Sequence, residues 1–193
     1  MTMTTVLLFH HAQGQTPGFM QFADELRGAG HELHTPDLYD GRTFDDLNEG
    51  VAFAGKEIGF DEILRRGEAA AESLPSDIVY AGFSLGGMPA QSLAQQRPGS
   101  RGALLYHACM PTSEFGGAWP EGVPVQIHMM EDDPWGDEDQ AAAKTLVDEV
   151  KDAELFLYPG SGHLFADPSL GDYDEQAAQL LRERTLSFLS RVD

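Results

Sequence analysis

Ile78-Val79-Tyr80-Ala81-Gly82-Phe83-Ser84-Leu85-Gly86-Gly87-Met88 is the stretch from which the rest of the chain can be read. An apolar run, Ile78 to Ala81, enters Gly-x-Ser-x-Gly, and a helix-forming segment, Met88 to Gln96, follows. The pattern is strand, sharp turn and helix, with a serine at the apex. A serine there is forced into a sparsely populated backbone region, and glycines two residues away on either side let strand and helix pass closely. The turn lifts the Ser84 hydroxyl out of the sheet. It also sets the Leu85 N–H at a helix N-terminus, where negative charge is favoured.

On either side of this stretch, short apolar runs alternate with helical spacings. Val6–Phe9 reads as a buried strand, followed by a His10–Gly18 loop and a helix over Phe19–Arg27 that stops at Gly28 and Gly30. His31–Pro36 is a second short strand, Thr43–Gly59 is irregular with helical pieces, and Asp61–Ser73 is a helix. Beyond Gln96, strands are expected at Gly102–Ala108, Val123–Met130 and Glu154–Tyr158. Helices are expected at Gln140–Val150 and Tyr173–Leu189, with an acidic loop from Glu131 to Asp139. Strands alternating with helices mean an α/β fold, a mostly parallel central sheet covered by helices on both faces. With no repeat, linker or low-complexity tract, residues 1–193 read as a single domain.

The chain carries 32 acidic and 12 basic residues, a net charge of −20. Such a field repels nucleic acid and anionic membranes, so neither is an expected partner. The plainer reading of the excess is a solvated acidic surface. The alternative is adaptation to high salt, where added ions screen the self-repulsion. No apolar run approaches the roughly 18 residues of a membrane span. The segment Met1–Thr5 has no basic stretch of a signal peptide, and the single cysteine, Cys109, suits a reducing compartment, so the expected location is cytoplasmic.

A serine hydroxyl becomes a good nucleophile only when a base takes its proton and an acid orients that base. After the elbow, two strands run into loops that carry suitable partners. The first is Ile127-His128-Met129-Met130-Glu131-Asp132-Asp133-Pro134-Trp135 and the second is Tyr158-Pro159-Gly160-Ser161-Gly162-His163-Leu164-Phe165. His163, flanked by glycine-rich turn residues, is the expected base. Asp133 is the expected acid because Pro134 and Trp135 after it mark a rigid turn; Asp132 is its rival. The backbone N–H groups of Leu85 and of His11 or Ala12 are the expected oxyanion donors. His11, Phe115, Trp135 and Phe165 are expected around the substrate, with Phe19, Tyr39, Phe53, Met88 and Trp119 as further candidates for its walls. His107 and His128 lie within apolar strands and read as core or pocket-edge histidines, and Cys109 as a small buried hydrophobe. Neither the His10–His11 pair nor His31 and His34 has the Cys/His company of a zinc site, so no metal or other cofactor is expected.

Taken together, these residues resemble the dienelactone hydrolase family of α/β-hydrolases. The likeness runs through Leu-Leu-Phe-His-His-Ala-Gln-Gly, Gly-Phe-Ser-Leu-Gly-Gly, His128 to Asp133, and Tyr-Pro-Gly-Ser-Gly-His-Leu-Phe. The resemblance implies an α/β-hydrolase fold without a large lid domain, a triad of Ser84, Asp133 and His163, and oxyanion donors at Ala12 and Leu85. It also implies a serine hydrolase that cleaves a small-molecule carboxylic ester, lactone or thioester through an acyl-enzyme. The family's namesake carries a cysteine where Ser84 stands, an acidic side chain where His11 stands, and an arginine where Asp167 stands. An aspartate in that place would repel a substrate carboxylate, so dienelactone itself is not the expected substrate. The alternatives from other classes are a non-catalytic ligand-binding protein on the same fold and an acyltransferase.

Overall fold

The computed structural model describes residues 3–192; Met1 and Thr2, part of the N-terminal stretch read above, and Asp193 lie outside the described residues. The strands are β1 (Thr5–Phe9), β2 (Glu32–His34), β3 (Val79–Phe83), β4 (Gly102–Tyr106), β5 (Val125–Met130) and β6 (Ala153–Tyr158). The helices are α1 (Pro17–Gly28), α2 (Leu47–Phe53), α3 (Phe60–Ala71), α4 (Gly87–Gln96), α5 (Asp137–Glu149) and α6 (Glu175–Arg191). The strands form one sheet in the order β2-β1-β3-β4-β5-β6, and every pairing is parallel.

A parallel sheet buried on both faces needs apolar residues at consecutive positions, and the strands supply them. Leu7, Phe9, Tyr80, Leu105 and Ile127 face one side, against Ile63 of α3, Leu93 of α4 and Leu146 of α5. Their neighbours Val6, Leu8, Val79, Ala81 and Leu104 face the other, against Phe22 and Leu26 of α1 and Leu181 and Phe188 of α6. Each such side chain contributes roughly 1.5–3 kcal/mol when fully buried, so the two apolar layers fix which face of the sheet every helix covers.

Local chemistry sets the boundaries. Thr16 caps α1 by accepting from the Phe19 N–H, and Pro17 occupies its first position. Asp174 caps α6 in the same way through the Ala177 N–H. Two expectations need correction. Asp137, Glu138 and Asp139 do not belong to an acidic loop; they form the first turn of α5, where three carboxylates complement the helix dipole. Strand β4 stops at Tyr106, and His107 turns away with a φ of 60°. The segment expected to be irregular holds α2 and a single π-helical stretch, Ala54–Ile58, ended by Gly59.

The chain runs from β1 outward to β2, then crosses back so that β3 lies on the other side of β1. This reversal opens a crevice at the carboxyl ends of β1 and β3, the place where open parallel sheets hold their ligands. The loops after β1, β3, β5 and β6 all leave the sheet at that edge.

Candidate active site

Ser84 sits at the end of β3 with a φ of 48°, a left-handed conformation that costs a non-glycine residue of order 1 kcal/mol or more. The flanking glycines explain how the strain is held. A Cβ on Gly82 would fall 2.0 Å from the Gly86 carbonyl oxygen, and one on Gly86 would fall 2.5 Å from that of Phe9. Only glycine lets the start of α4 press against both β3 and the end of β1.

The loops after β5 and β6 bring two partners to this apex. Ser84 Oγ lies 2.7 Å from His163 Nε2, and His163 Nδ1 lies 2.7 Å from Asp133 Oδ2. A carboxylate can only accept, so Nδ1 carries the proton and Nε2 is left to accept from the serine hydroxyl. Asp133 is 2% exposed, and its second oxygen accepts from the Trp135 N–H at 2.9 Å. Glu131 and Asp132 are exposed. Asp132 serves the site through its backbone, donating to the Gly160 carbonyl at 2.9 Å and so tying the β5 loop to the β6 loop. The His163 N–H donates to Asp172 Oδ2 at 3.1 Å, which holds the histidine's own backbone. Asp172 had no motif to mark it.

The two histidines after β1 are both buried but do different things. His10 Nδ1 donates to the His11 carbonyl at 2.7 Å, and its Nε2 accepts from the Leu38 N–H at 3.0 Å. His11 Nδ1 accepts from the Gln13 N–H at 3.2 Å, so its Nε2 donates to Asp167 Oδ2 at 3.0 Å. Burial lowers the His11 pKa despite the carboxylate beside it, and the ring is neutral. Thr16 Oγ1 also donates to Asp167 Oδ2, and the Ser169 N–H and hydroxyl donate to Oδ1. Burial alone would raise the Asp167 pKa, but these bonds outweigh it and hold the carboxyl at about 2. The Asp167-Pro168-Ser169 spacing is an Asx-turn signature that sequence reasoning could have used.

These contacts correct two expectations. His11 is 1% exposed and is a strut for the loop, not a wall of the substrate pocket. Asp167 is an internal tie whose charge is already answered by its donors, not a carboxylate presented to substrate. Phe165 needs the same correction: it is fully buried, with ring neighbours at His107 (4.6 Å) and Tyr158 (5.1 Å), because it packs under the sheet edge against α6's layer. Phe19, Tyr39 and Trp119 are likewise buried. Trp135 is 46% exposed with its ring 6.1 Å from that of His163, and Phe115 and Met88 border a groove of about 1030 Å³.

His128 is a core histidine with both nitrogens partnered, by Tyr158 Oη at 2.9 Å and Gln126 Oε1 at 3.3 Å. His107 is buried and neither ring nitrogen has a partner among the described residues; its ring is 6.0 Å from that of His163. Burial pushes the Cys109 thiol up to about 12, far from a reactive thiolate.

Residues 2–192 match the dienelactone hydrolase family. The chain belongs to that family. A Saccharolobus solfataricus protein provisionally named as a carboxymethylenebutenolidase is 30% identical over 115 residues, 60% of this chain and 44% of its own length. The chain therefore spans less than half of that relative. Among solved structures, a dienelactone hydrolase-like promiscuous phosphotriesterase from metagenomic libraries gives a TM-score of 0.78 at 20% identity, over 98% of this chain and 86% of that one. Dienelactone hydrolase from Anabaena variabilis gives 0.69 at 18% identity, over 98% and 87%. At these identities the structural likeness speaks for the α/β-hydrolase fold, and no large lid interrupts it among the described residues. No described helix is long and apolar enough to cross a membrane.

Proposed function

We propose that this member of the dienelactone hydrolase family is a serine hydrolase that cleaves small carboxylic esters, lactones or thioesters through an acyl-enzyme. The observation that carries the reading is the unbroken relay from Ser84 Oγ to His163 to Asp133, with two contacts of 2.7 Å and the serine on a strained turn. His163 Nε2 takes the Ser84 proton as Oγ attacks the acyl carbon. The ionised Asp133 holds the tautomer and stabilises the imidazolium that forms. The N–H groups of Leu85 and Ala12 receive the oxyanion, each donor contributing about 3 kcal/mol to the barrier reduction. His163 then protonates the leaving group, and a water deprotonated by the same nitrogen releases the acid. A cytoplasmic setting suits a chain whose one cysteine is buried and unpaired.

The test is labelling with a fluorophosphonate probe, followed by steady-state hydrolysis of p-nitrophenyl esters. Ser84→Ala is expected to abolish labelling and lower kcat by about 10⁴- to 10⁶-fold. Asp133→Asn should lose about 10⁴-fold by disfavouring the working tautomer, while Asp132→Asn stays near the parent. An unlabelled, inactive parent protein would point to a binding protein instead. Ester products formed with added alcohols, in place of free acid, would point to acyl transfer.

A further inference from the structure

The groove bordered by Met88 and Phe115 runs between α3, the start of α4 and α5. Met88 stands four residues after Ser84 in the first turn of α4, and Asp139 stands six residues after Asp133 in the first turn of α5, so the helices that follow the nucleophile and the acid both border it. At about 1030 Å³ it is large enough for a substrate with an extended chain. Its floor is apolar and adaptable, built from Leu64, Met88, Met110 and Phe115, with the exposed ring of Phe60 at the wall.

The charge on its walls has one sign. Asp61, Glu114, Glu138, Asp139 and Glu149 line the groove, and no lysine, arginine or histidine is among its lining residues. Among the described residues, none of the five makes an ion pair. Elsewhere, among the described residues, six of the nine arginines are placed against carboxylates, as Arg66 is against Glu62 and Asp40, and Arg182 against Glu25. Low-dielectric walls concentrate the field of such a groove, so a cation gains there and a carboxylate is turned away.

Resting on the hydrolase reading above, we propose that this groove selects amphiphilic esters whose apolar chain ends in an amine or quaternary ammonium group, and rejects esters that carry a carboxylate. The chain lies on the methionine and phenylalanine floor, and the cationic head is held among the carboxylates of α3 and α5. The specificity is thereby inverted relative to a site built to hold an acid group.

Three p-nitrophenyl esters of matched length test this: the 6-(trimethylammonio)hexanoate, its neutral isostere 7,7-dimethyloctanoate, and the pimelate monoester. At low salt, kcat/KM is expected to fall in that order, by about tenfold at each step. In about 0.5 M NaCl, where the screening length is only a few ångströms, the steps should shrink severalfold. The triple variant Asp61→Asn, Glu138→Gln, Glu149→Gln should bring the cation-to-neutral ratio towards one. Asp24→Asn, Glu175→Gln, Glu183→Gln, which removes the same charge from α1 and α6, should leave the ratio in place. A ratio of one or less in the parent, or equal losses in both triples, overturns the proposal. In parallel, calorimetry on Ser84→Ala protein should detect hexyltrimethylammonium and not hexanoate. Failure to hydrolyse any of the three esters sinks the hydrolase reading, whereas hydrolysis or binding without cation preference sinks the groove assignment alone.

Discussion

Two aspartates flank the triad, and they are held in opposite ways. Asp167, beside the β1 loop, is almost fully buried, yet it receives hydrogen bonds from His11, Thr16 and Ser169 and its carboxyl is held at about 2. Asp139, in the first turn of α5, is only partly buried, but burial pushes its carboxyl up to about 6. The Cys109 N–H and the nearby His163 pull it down, and the charges of Asp133 and Glu138 push it back up. What separates the two is the donor count, not the depth. The β1 side of the crevice is braced from within. The α5 side has only the Cys109 N–H and the start of the helix to hold its carboxylates, and no described cation pairs with them.

Removing the brace should have the larger effect. Asp167→Ala leaves the buried His11 N–H and Thr16 hydroxyl without an acceptor, which costs about 3 kcal/mol. For a domain of this size that lowers Tm by about 6–12 °C. The loop carrying Ala12 should also shift relative to Leu85, and kcat should drop by about 10- to 100-fold. Thermal unfolding and ester kinetics on the same preparation check both. The sign of the pH dependence follows from the depressed pKa. Asp167 contributes its stability above the ordinary carboxylate range and loses it as pH falls towards 2. The difference in Tm between parent and variant should therefore be full at pH 6 and shrink below pH 4. An unchanged Tm at neutral pH would mean that the brace carries no load.

Asp139 should behave in the opposite sense. Its folded-state pKa lies above the unfolded value, so the folded protein favours the protonated form. Relative to a neutral isostere, the parent is penalised once pH rises through about 6. Asp139→Asn should accordingly raise Tm at pH 8, by a few degrees at most, and the gain should vanish near pH 4. A destabilised variant at pH 8 would show that the Cys109 N–H and the helix start outweigh the cost of burial, and the contrast between the two aspartates would break.

How far this could be read from the sequence depended on whether local signals agreed with tertiary ones. The elbow was legible because Gly82 and Gly86 are required by close backbone approach, a constraint that leaves its mark within five residues. His163 was legible because glycines and a strand end frame it. Asp133 could be preferred over Asp132 only through the turn that follows it. What separates them in the fold is burial and the Trp135 N–H, neither of which is a property of the residue type. Asp167 was misjudged because a charge in sequence says nothing about its donors, which come from β1's loop 151 residues away as well as from its own turn. Phe165 was misjudged because a loop position beside His163 gave no hint that its ring turns inward. The start of α5 was misplaced because three consecutive acids read equally as a solvated loop and as a charged helix N-terminus.

A third buried group tests whether unanswered polarity near the triad marks function or only tolerated strain. His107 has φ 60°, both ring nitrogens lack partners among the described residues, and burial drives its pKa well below the ordinary value, so the ring is neutral. Unlike Asp139 it is 1% exposed: it packs edge-on against Phe165 at 4.6 Å and beside Phe83 at 5.7 Å. Leaving a buried donor and acceptor unmade costs about 1–3 kcal/mol, and an apolar side chain of the same shape removes that cost. His107→Phe should therefore raise Tm by about 2–4 °C and leave kcat within a few-fold of the parent, since the ring's shape beside His163 is preserved. The strained backbone stays strained in the variant, so the gain isolates the polar term from the conformational one. A loss of kcat beyond tenfold, with a moved pH profile, would instead make His107 a positioning residue for His163, and polarity without a partner would then mark function on both sides of the triad.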